Sequence, residues 1–340
     1  MNRFHRIGAT ALLIGAAVVA HGQSRIPETR IVTASNTTAN TLLVYDTSDN
    51  LIQSIATGGE GGASGNSGGI ARWRNELAVI NFGSKTVSIF EDSDKGFQLK
   101  QTIPTASSPL SVAFGHGHLY VLGATVVESH AISDYGVDAG IDGSAGLIKA
   151  DGSAAQVGVL EHQLILTEKS NAIESVNLDG RGAIRGTASL VQNIPQNVNA
   201  PFGLVTRGDD AYVTIAHANE ISLVRDDAVV TTTGSGSQSA PCWLALDGPY
   251  LFSSNSPSHS VSRYVVYGKT ITQAVAVAAT FSGDPTDIAY RAGVAAVVDG
   301  AGTVSHLTSF LVDGDGNLSQ LAVTTINSSA NGVAIVRSDD

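Results

Sequence analysis

The sequence has 340 residues, of which 14% are charged, 37 are glycine and one is cysteine, and its formal net charge is -11. Soluble proteins carry roughly 25% charged residues and about 7% glycine, so this chain lacks the charge that long amphipathic helices need. Its 30 acidic residues outnumber its 19 basic ones, which argues against a nucleic-acid partner because binding a phosphate backbone requires a basic surface.

The N-terminus has the pattern of a signal peptide. Basic residues precede an apolar run over Ile7–Ala20, and small residues on either side of His21 suit a peptidase that cleaves before Gln23. The run is too short for a bilayer-spanning helix, which needs about 20 residues, although an uncleaved anchor is the alternative. We therefore expect residues 1–22 to be removed and residues 23–340 to form one domain of a secreted protein, or a periplasmic one if the source is bacterial. No later stretch is apolar enough to cross a membrane, and we expect a monomer.

From about residue 30 onward, short runs alternate apolar and polar residues, for example Glu76–Asn81, Gly117–Leu122 and Gln163–Thr167. A period of two predicts β-strands. Gly, Asn, Asp and Pro recur too often for a long helix to form. The single cysteine, Cys242, cannot form a disulfide within the chain, so the fold depends on its hydrophobic core.

A small or turn-forming residue precedes a strand at seven places. The spacings are 42, 45, 47, 40, 44 and 45 residues, and the seven residues are Ser67, Pro109, Ala154, Pro201, Pro241, Pro285 and Ala330. Each interval holds one four-stranded sheet with its turns, for which the unit of Pro241 predicts strands over residues 241–246, 250–253, 259–266 and 270–279. Repeated sheets of this kind pack around an axis. The sequence therefore predicts an all-β, seven-bladed β-propeller of four-stranded antiparallel blades.

The two ends of the chain complement each other. Asn331–Val336 has the pattern of an inner strand without partners, whereas Arg30–Ser35, Thr41–Asp46 and Leu51–Thr57 form three strands that lack an inner one. Pairing the N- and C-terminal strands in one blade removes two exposed sheet edges, so we expect the ring to close there. The unit of Pro109 is the least regular, because Asp134–Gly152 is rich in glycine.

Several of these segments resemble the lactonase family, which includes relatives of 6-phosphogluconolactonase and of the fungal 3-carboxymuconate cyclase. Their sequence pattern resembles that of the exported branch of this family. They are Ala155–Val159, Leu166–Ile173, Pro201–Gly203, Pro241–Ala245, Ser254–Asn255 and Ser262–Tyr264. The resemblance implies a seven-bladed propeller with WD40- or YVTN-like repeats and no cofactor. It also implies that histidine, glutamate and arginine side chains at the central channel bind or convert a small lactone or carboxylate. The chain departs from the family at Thr214–His217, where many relatives place Ser-Glu-Ala or Thr-Glu-Ala. A binding or surface scaffold without turnover is therefore the alternative function.

In a propeller, the loops that enter the inner strands and the loops between second and third strands open on one face, which we call the upper face. The topology sends seven polar residues to it: Asn81, Glu168, Lys169, His217, Asn255, Asp287 and Asp299. Opening a lactone needs a base near neutral pH and a group that stabilises the oxyanion. Glu168 or His217 could act as the base, Asp287 could transfer a proton, and Lys169 could hold the oxyanion. The alternative is that Glu168 and Lys169 lie on a solvated loop and that His217 belongs to a turn.

Other motifs have simpler interpretations. His116 and His118 flank a glycine, which fits a hairpin turn better than a metal site. Asp313–Asn317 imitates the start of a calcium loop but lacks the later glycine and glutamate, so it also predicts a turn. Gly65–Gly69 satisfies Gly-x-Ser-x-Gly without the strand and helix that a nucleophile elbow needs. Cys242 suits packing between blades, while Trp73 could close a hairpin or contact a partner. We expect no metal.

Overall fold

The computed structural model describes residues 28–64, 68–194 and 200–337. In these ranges the chain forms seven antiparallel sheets, the blades of a seven-bladed propeller. Their strands, in chain order, are: β1 (Thr29–Ala34), β2 (Thr41–Tyr45) and β3 (Leu51–Ala56) in blade 1; β4 (Ile70–Trp73), β5 (Glu76–Asn81), β6 (Thr86–Ser93) and β7 (Gly96–Pro104) in blade 2; β8 (Pro109–Gly115), β9 (His118–Gly123), β10 (Val126–Ser133), β11 (Gly136–Val137) and β12 (Gly143–Gly146) in blade 3; β13 (Ala154–Val159), β14 (Gln163–Glu168), β15 (Ala172–Asn177) and β16 (Ser189–Leu190) in blade 4.

The remaining blades are the most regular ones. They contain β17 (Pro201–Arg207), β18 (Asp210–Ile215), β19 (Glu220–Arg225) and β20 (Ala228–Gly234) in blade 5; β21 (Pro241–Asp247), β22 (Tyr250–Asn255), β23 (Ser260–Tyr267) and β24 (Thr270–Thr280) in blade 6; β25 (Asp284–Arg291), β26 (Val294–Ala301), β27 (Val304–Val312) and β28 (Leu318–Ile326) in blade 7; and finally β29 (Asn331–Arg337), which returns to blade 1. Short 3-10 turns at Ala216–Ala218 and Ser256–Ser258 link the second and third strands of blades 5 and 6.

The predicted propeller is confirmed. Pro109, Ala154, Pro201 and Pro241 are the first residues of inner strands, and Pro285 is the second residue of β25. The anchor Ser67 lies outside the described residues, as do the predicted signal peptide and the first three residues of the Gly-x-Ser-x-Gly match. Among the described residues, no helix is long and apolar enough to cross a bilayer.

Blade 1 closes the ring as predicted. The C-terminal strand β29 pairs with β1 from Thr29 opposite Arg337 to Ala34 opposite Asn331. The sheet order is therefore β29-β1-β2-β3, with the last strand of the chain next to the axis. Joining the two ends in one sheet gives β1 a partner on its inner edge and gives β29 a partner on its outer edge.

The hydrophobic core lies between neighbouring blades, where the buried side chains form seven clusters. Between blades 1 and 2, for example, Val32 and Val44 pack with Val79, Phe90 and Phe97. Each blade therefore buries both of its faces, which is why the inner and second strands show long apolar runs instead of strict alternation. Burial of this apolar surface is the main force that holds the ring together.

Blade 3 departs from the four-stranded pattern, as its glycine content predicted. Two short strands, β11 and β12, both pair with β10 in place of one outer strand. Asp142 fixes this segment, because its carboxylate accepts a hydrogen bond from Ser129 Oγ at 2.6 Å and lies 2.8 Å from His118 Nε2. His118 thus has a structural partner on the face opposite the upper one, which we call the lower face.

The two predicted turns form on the lower face. His116 and Gly117 occupy the β8–β9 hairpin with φ of 48° and 71°, and His116 Nε2 lies 2.8 Å from the Leu160 carbonyl oxygen. Asp313 closes the other turn by accepting hydrogen bonds from the amides of Asp315 and Asn317. Both motifs therefore have a structural explanation.

The two remaining singled-out side chains pack against neighbours. Cys242 is buried and its thiol donates to the Ala240 carbonyl at 3.1 Å, and burial raises its pKa. Trp73 stacks on Phe114 at 6.3 Å between ring centroids, with the Arg74 guanidinium 4.3 Å from its ring. Trp73 thus covers the lower end of blades 2 and 3.

A buried carboxyl lies where blade 7 meets blade 1. Asp49, in the turn between β2 and β3, is 5% exposed, and neither carboxyl oxygen makes a hydrogen bond of normal geometry within the described residues. Burial raises the pKa of Asp49 to about 6, although Ser309 of blade 7 opposes the shift. In the same turn, the side chain of Asn50 and the amides of Asn50 and Ser48 outweigh burial and lower the pKa of Asp46.

Asp49→Asn is expected to stabilise the protein at about pH 8 by up to about 3 kcal/mol. The folded state keeps the Asp49 proton up to a pH of about 6, whereas an unfolded chain releases it near pH 4. This group therefore favours folding in acid, and its contribution is lost as the pH rises through 6. Urea unfolding at about pH 4 and about pH 8 measures the difference. Equal stabilities of Asp49→Asn and the wild-type protein at the higher pH would contradict this prediction. Asp46→Asn is the control and should be less stable than the wild-type protein at that pH.

Candidate functional site

The inner strands surround a central channel of about 660 Å³. All seven inner strands contribute to its wall, which combines apolar residues such as Val112, Val157 and Ile288 with polar ones such as Gln156 and Asp287 and extends to His116 and Glu161 at the lower face. A cavity of this size and lining suits a small organic ligand. Of the seven residues that the sequence places at the upper face, Asp287 alone is among those that line the channel within the described part of the chain.

Asp287 reaches the channel because the start of its strand is irregular. The pairing of β25 with β26 shifts register between Pro285 and Asp287, and a bulge of this kind re-aims a side chain. The carboxylate accepts hydrogen bonds from the amides of Ile288 at 2.8 Å, Val333 at 3.0 Å and Gly68 at 3.3 Å. Asp287 therefore ties blade 7 to blades 1 and 2, and backbone donors already occupy its oxygens.

Four of the predicted residues occupy equivalent positions at the upper end of a second strand: Asn81, Glu168, Asn255 and Asp299. All four are buried. Because the four side chains share one position, their chemistry differs according to the hydrogen-bond partners that the following third strand provides.

The two asparagines hold the loop between second and third strands. Asn81 Nδ2 donates to Thr86 Oγ1 at 3.1 Å and Ser88 Oγ at 2.7 Å. Asn255 Nδ2 donates to Ser260 Oγ at 3.1 Å and Ser262 Oγ at 2.9 Å. These two side chains are explained by the fold.

Glu168 has no such hydroxyl opposite it, because its cross-strand neighbour is Ala172. One carboxyl oxygen, Oε2, accepts a hydrogen bond from Ser153 Oγ at 2.9 Å, and Oε1 is buried without a hydrogen-bond partner in the described part of the chain. Burial raises the pKa of Glu168 to about 8, with the Glu174 and Asp151 carboxylates adding to the shift and Ser153 and Lys169 opposing it. A carboxyl tuned in this way is typical of proton-transfer sites.

Lys169 follows Glu168 directly and is half-buried. Its Nζ lies 5.8 Å from the ring centroid of Phe202, the second residue of inner strand β17, and Phe202 meets Trp243 of the next inner strand edge to face at 5.5 Å. Burial lowers the pKa of Lys169, although Glu168 raises it. The ammonium therefore reaches from blade 4 over the upper end of the inner strand of blade 5.

His217 lies in the 3-10 turn that follows β18 and is exposed on the upper face of blade 5. Its imidazole makes no hydrogen bond within the described residues. Glu168 and Lys169 are thus chain neighbours at the upper end of blade 4 whose charges interact, whereas His217 lies on the neighbouring blade, and no contact among the described residues joins it to them.

A second acid-base pair was missed by the sequence argument. Asp299 Oδ1 lies 2.8 Å from His306 Nδ1, because the register of the β26–β27 hairpin sets the two residues directly opposite each other. The signal was present in the sequence, since both residues flank a tight Gly-containing turn at equal distances. His306 was overlooked because its strand continues as an ordinary apolar run.

Comparison with known proteins reinforces the architecture. A protein of unknown function from Desulfotomaculum acetoxidans superposes with a TM-score of 0.67 at 11% identity, covering 92% of this chain and 99% of its own. A candidate 6-phosphogluconolactonase from Bacteroides fragilis superposes with a TM-score of 0.66 at 14% identity, covering 93% of this chain and 99% of its own. The fold is that of a seven-bladed propeller, which the candidate 6-phosphogluconolactonase shares.

The likeness extends to WD40 repeats. Those of RRP9 superpose on this chain with a TM-score of 0.61 at 11% identity, covering 80% of this chain and 84% of their own. Neither a family sequence model nor a curated protein sequence matches the chain. At these identities the comparisons establish the fold, so activity must be argued from the site itself.

Proposed function

We propose that this propeller hydrolyses a small lactone that carries a carboxylate, at the upper mouth of the central channel. The observation that carries the proposal is Glu168, a buried carboxyl with an oxygen that has no hydrogen-bond partner among the described residues and a pKa of about 8. Lys169 follows it in the chain, and the two charges interact. The structural similarity to a candidate 6-phosphogluconolactonase supports the same class of substrate. The channel offers room for the body of the lactone, and Lys169 offers a positive charge in a protein whose net charge is -11.

In the proposed mechanism, ionised Glu168 removes a proton from water while the water oxygen attacks the lactone carbonyl carbon. The carbonyl becomes an oxyanion that Lys169 stabilises. The ring C–O bond then breaks, and the proton held by Glu168 passes to the leaving alkoxide, which yields a hydroxy acid. His217 on the next blade is the alternative base. A muconate-type cyclisation would involve different bonds: a carboxylate oxygen would add to one carbon of a C=C bond, and a proton would be delivered to the other carbon.

We also propose that the protein works outside the cytoplasm as a monomer. Residues 1–22 carry the pattern of an export signal, and the single cysteine is consistent with a fold that is stable without disulfides in an oxidising compartment. Detection of a mature chain that starts at Gln23 in the culture medium or periplasm would support this part of the proposal, and a cytoplasmic chain that starts at Met1 would contradict it.

The test is proton release from sugar, homoserine and muconate-type lactones in weak buffer, with the uncatalysed rate subtracted. The rate should rise with pH to a midpoint near 8, because Glu168 must be ionised to act as the base and its pKa is about 8. Glu168→Gln should lower kcat by about 100-fold or more, and Lys169→Met should lower kcat/KM most for anionic lactones.

Glu128→Gln is the matched control, because Glu128 is a buried carboxyl of blade 3 that accepts a hydrogen bond from the Ala106 amide. It should leave the lactonase rate unchanged. The proposal would be overturned, in favour of the binding scaffold, if the wild-type protein released no protons from any lactone of the panel. It would also be overturned if Glu168→Gln hydrolysed them as fast as the control. If only His217→Ala abolished lactone hydrolysis, the base would be His217 on blade 5 and not Glu168.

A further inference from the structure

We propose that blade 7 carries a second hydrolytic site, in which His306 activates water against small neutral acyl esters and Asp299 positions the imidazole. The site is separate from Glu168 and Lys169, which belong to blade 4, and it does not depend on the lactonase proposal. It is assembled from the β26–β27 hairpin and from the loop that enters β25.

The geometry holds the imidazole in one orientation. Asp299 is 1% exposed, and its Oδ1 lies 2.8 Å from His306 Nδ1. The His306 side chain is 20% exposed, and its recorded hydrogen bonds within the described residues involve Nδ1 only. A neutral imidazole that donates from Nδ1 to a buried carboxylate leaves the Nε2 lone pair available as a base.

The arrangement differs from a Ser-His-Asp triad. Ser282 Oγ lies 3.1 Å from the same Nδ1 atom that contacts Asp299. In a triad the serine and the carboxylate contact opposite nitrogens of the ring, so that the ring can accept the serine proton. Ser282 therefore helps to fix the imidazole, and the nucleophile at Nε2 is water.

Comparison between blades shows that the fold itself does not require these two residue types. At the same two positions, blade 2 uses Asn81 with Thr86 and blade 6 uses Asn255 with Ser260, each joined by an amide-to-hydroxyl hydrogen bond of 3.1 Å. Neither of those pairs can transfer a proton near neutral pH. Blade 7 replaces the neutral pair by a carboxylate and an imidazole, which adds acid-base chemistry at a position where a neutral pair suffices for structure.

The surroundings of His306 define the substrate class. Asp284 follows the Ser282–Gly283 loop and is exposed, with its Oδ1 3.1 Å from His259 Nε2, and the Asp299 carboxylate contacts Nδ1 of the His306 ring. Two carboxylates disfavour an anionic substrate, because like charges repel. The site therefore suits an uncharged ester with a small acyl group, in contrast to the anionic lactone that Lys169 would attract.

The proposed step is general-base hydrolysis. His306 Nε2 takes a proton from water as the water oxygen bonds to the acyl carbon, and Asp299 stabilises the imidazolium that forms. The acyl C–O bond then breaks, and the imidazolium returns its proton to the leaving alkoxide. The products are a carboxylic acid and an alcohol, with His306 restored.

The experiment measures hydrolysis of p-nitrophenyl acetate by the full chain and by the double variant Asp299→Asn/His306→Ser. This variant reproduces the Asn–Ser pair with which blade 6 folds, so loss of activity is separated from loss of structure, and its melting temperature should match that of the wild-type protein. Ester hydrolysis should fall by about 100-fold. His162→Ala is the matched control, because His162 is 85% exposed beside the exposed Glu161 carboxylate, and it should retain the wild-type rate.

Asp299→Asn alone tests the positioning role. Its kcat for the ester should fall while KM stays near the wild-type value, because the imidazole loses the carboxylate that fixes its orientation, whereas a merely structural role would lower the melting temperature as well. A double variant that folds and keeps the rate of His162→Ala, or a wild-type protein no faster than the same protein denatured, would overturn the inference.

Discussion

A chain that ends at Ala330 is expected not to form the closed propeller. The removed residues include β29, the inner strand of blade 1, which pairs with β1 over its whole length. They also include Val333, Ile335 and Val336, which are buried in the clusters on either side of that blade. Without β29, blade 1 exposes the inner edge of β1, and blade 7 loses the neighbour against which it packs.

The effect should be the largest of any change considered, because every blade depends on two neighbours and an open ring leaves two faces bare. Circular dichroism and analytical ultracentrifugation should show loss of the cooperative thermal transition and association through the exposed edges. A chain that ends at Arg337 is the matched control and should behave like the full protein. A monomeric Ala330 variant with a cooperative transition near that of the control would contradict the closure argument.

Asp92→Asn is expected to destabilise the protein by about 3–5 kcal/mol, the cost of leaving a buried charge without its partner. Arg30 of β1 is 2% exposed, and its guanidinium binds the Asp92 carboxylate of blade 2 through two hydrogen bonds of 2.7 and 2.5 Å. The guanidinium also lies 5.0 Å from the centroid of the Phe97 ring. The substitution leaves the cation between two blades, where water cannot solvate it.

The double variant Arg30→Met/Asp92→Leu serves as the control for charge. It fills a similar volume without charge, and replacing a whole buried ion pair by apolar groups is often nearly neutral. We expect the double variant to be more stable than Asp92→Asn, with urea unfolding midpoints as the measure. Equal losses in both variants would show that the interface depends on the shape of these side chains and not on pairing of the charge.

The strands and their number could be predicted from the sequence because the signals are local. Period-two runs separated by Gly, Asn, Asp and Pro mark strands and turns wherever they occur. The recurrence of one unit every 40 to 47 residues fixes the number of blades. Even the irregularity of blade 3 was visible, because the glycines in Asp134–Gly152 cannot supply the side chains that an outer strand packs.

The candidate site could be predicted only in part. The sequence placed Glu168, Lys169 and Asp299 at the upper ends of second strands, since that depends on strand order alone. It could not show that the Asp287 carboxylate is occupied by three backbone amides, two of which belong to other blades. Such contacts join residues as far apart in sequence as Gly68 and Asp287, and no local pattern encodes them.

The sequence by itself determined the all-β class, the seven repeats and the closure through both ends, because each follows from periodicity and from the need to pair every strand edge. The tertiary structure decided which polar groups are available for chemistry. Glu168 and Asn81 occupy equivalent positions, yet Asn81 is fully bonded, and Glu168 faces Ala172 with one buried oxygen left over. The physical reason is that desolvation and hydrogen bonding depend on what the neighbouring strands and blades bring to each side chain, and these are known only once the ring has closed.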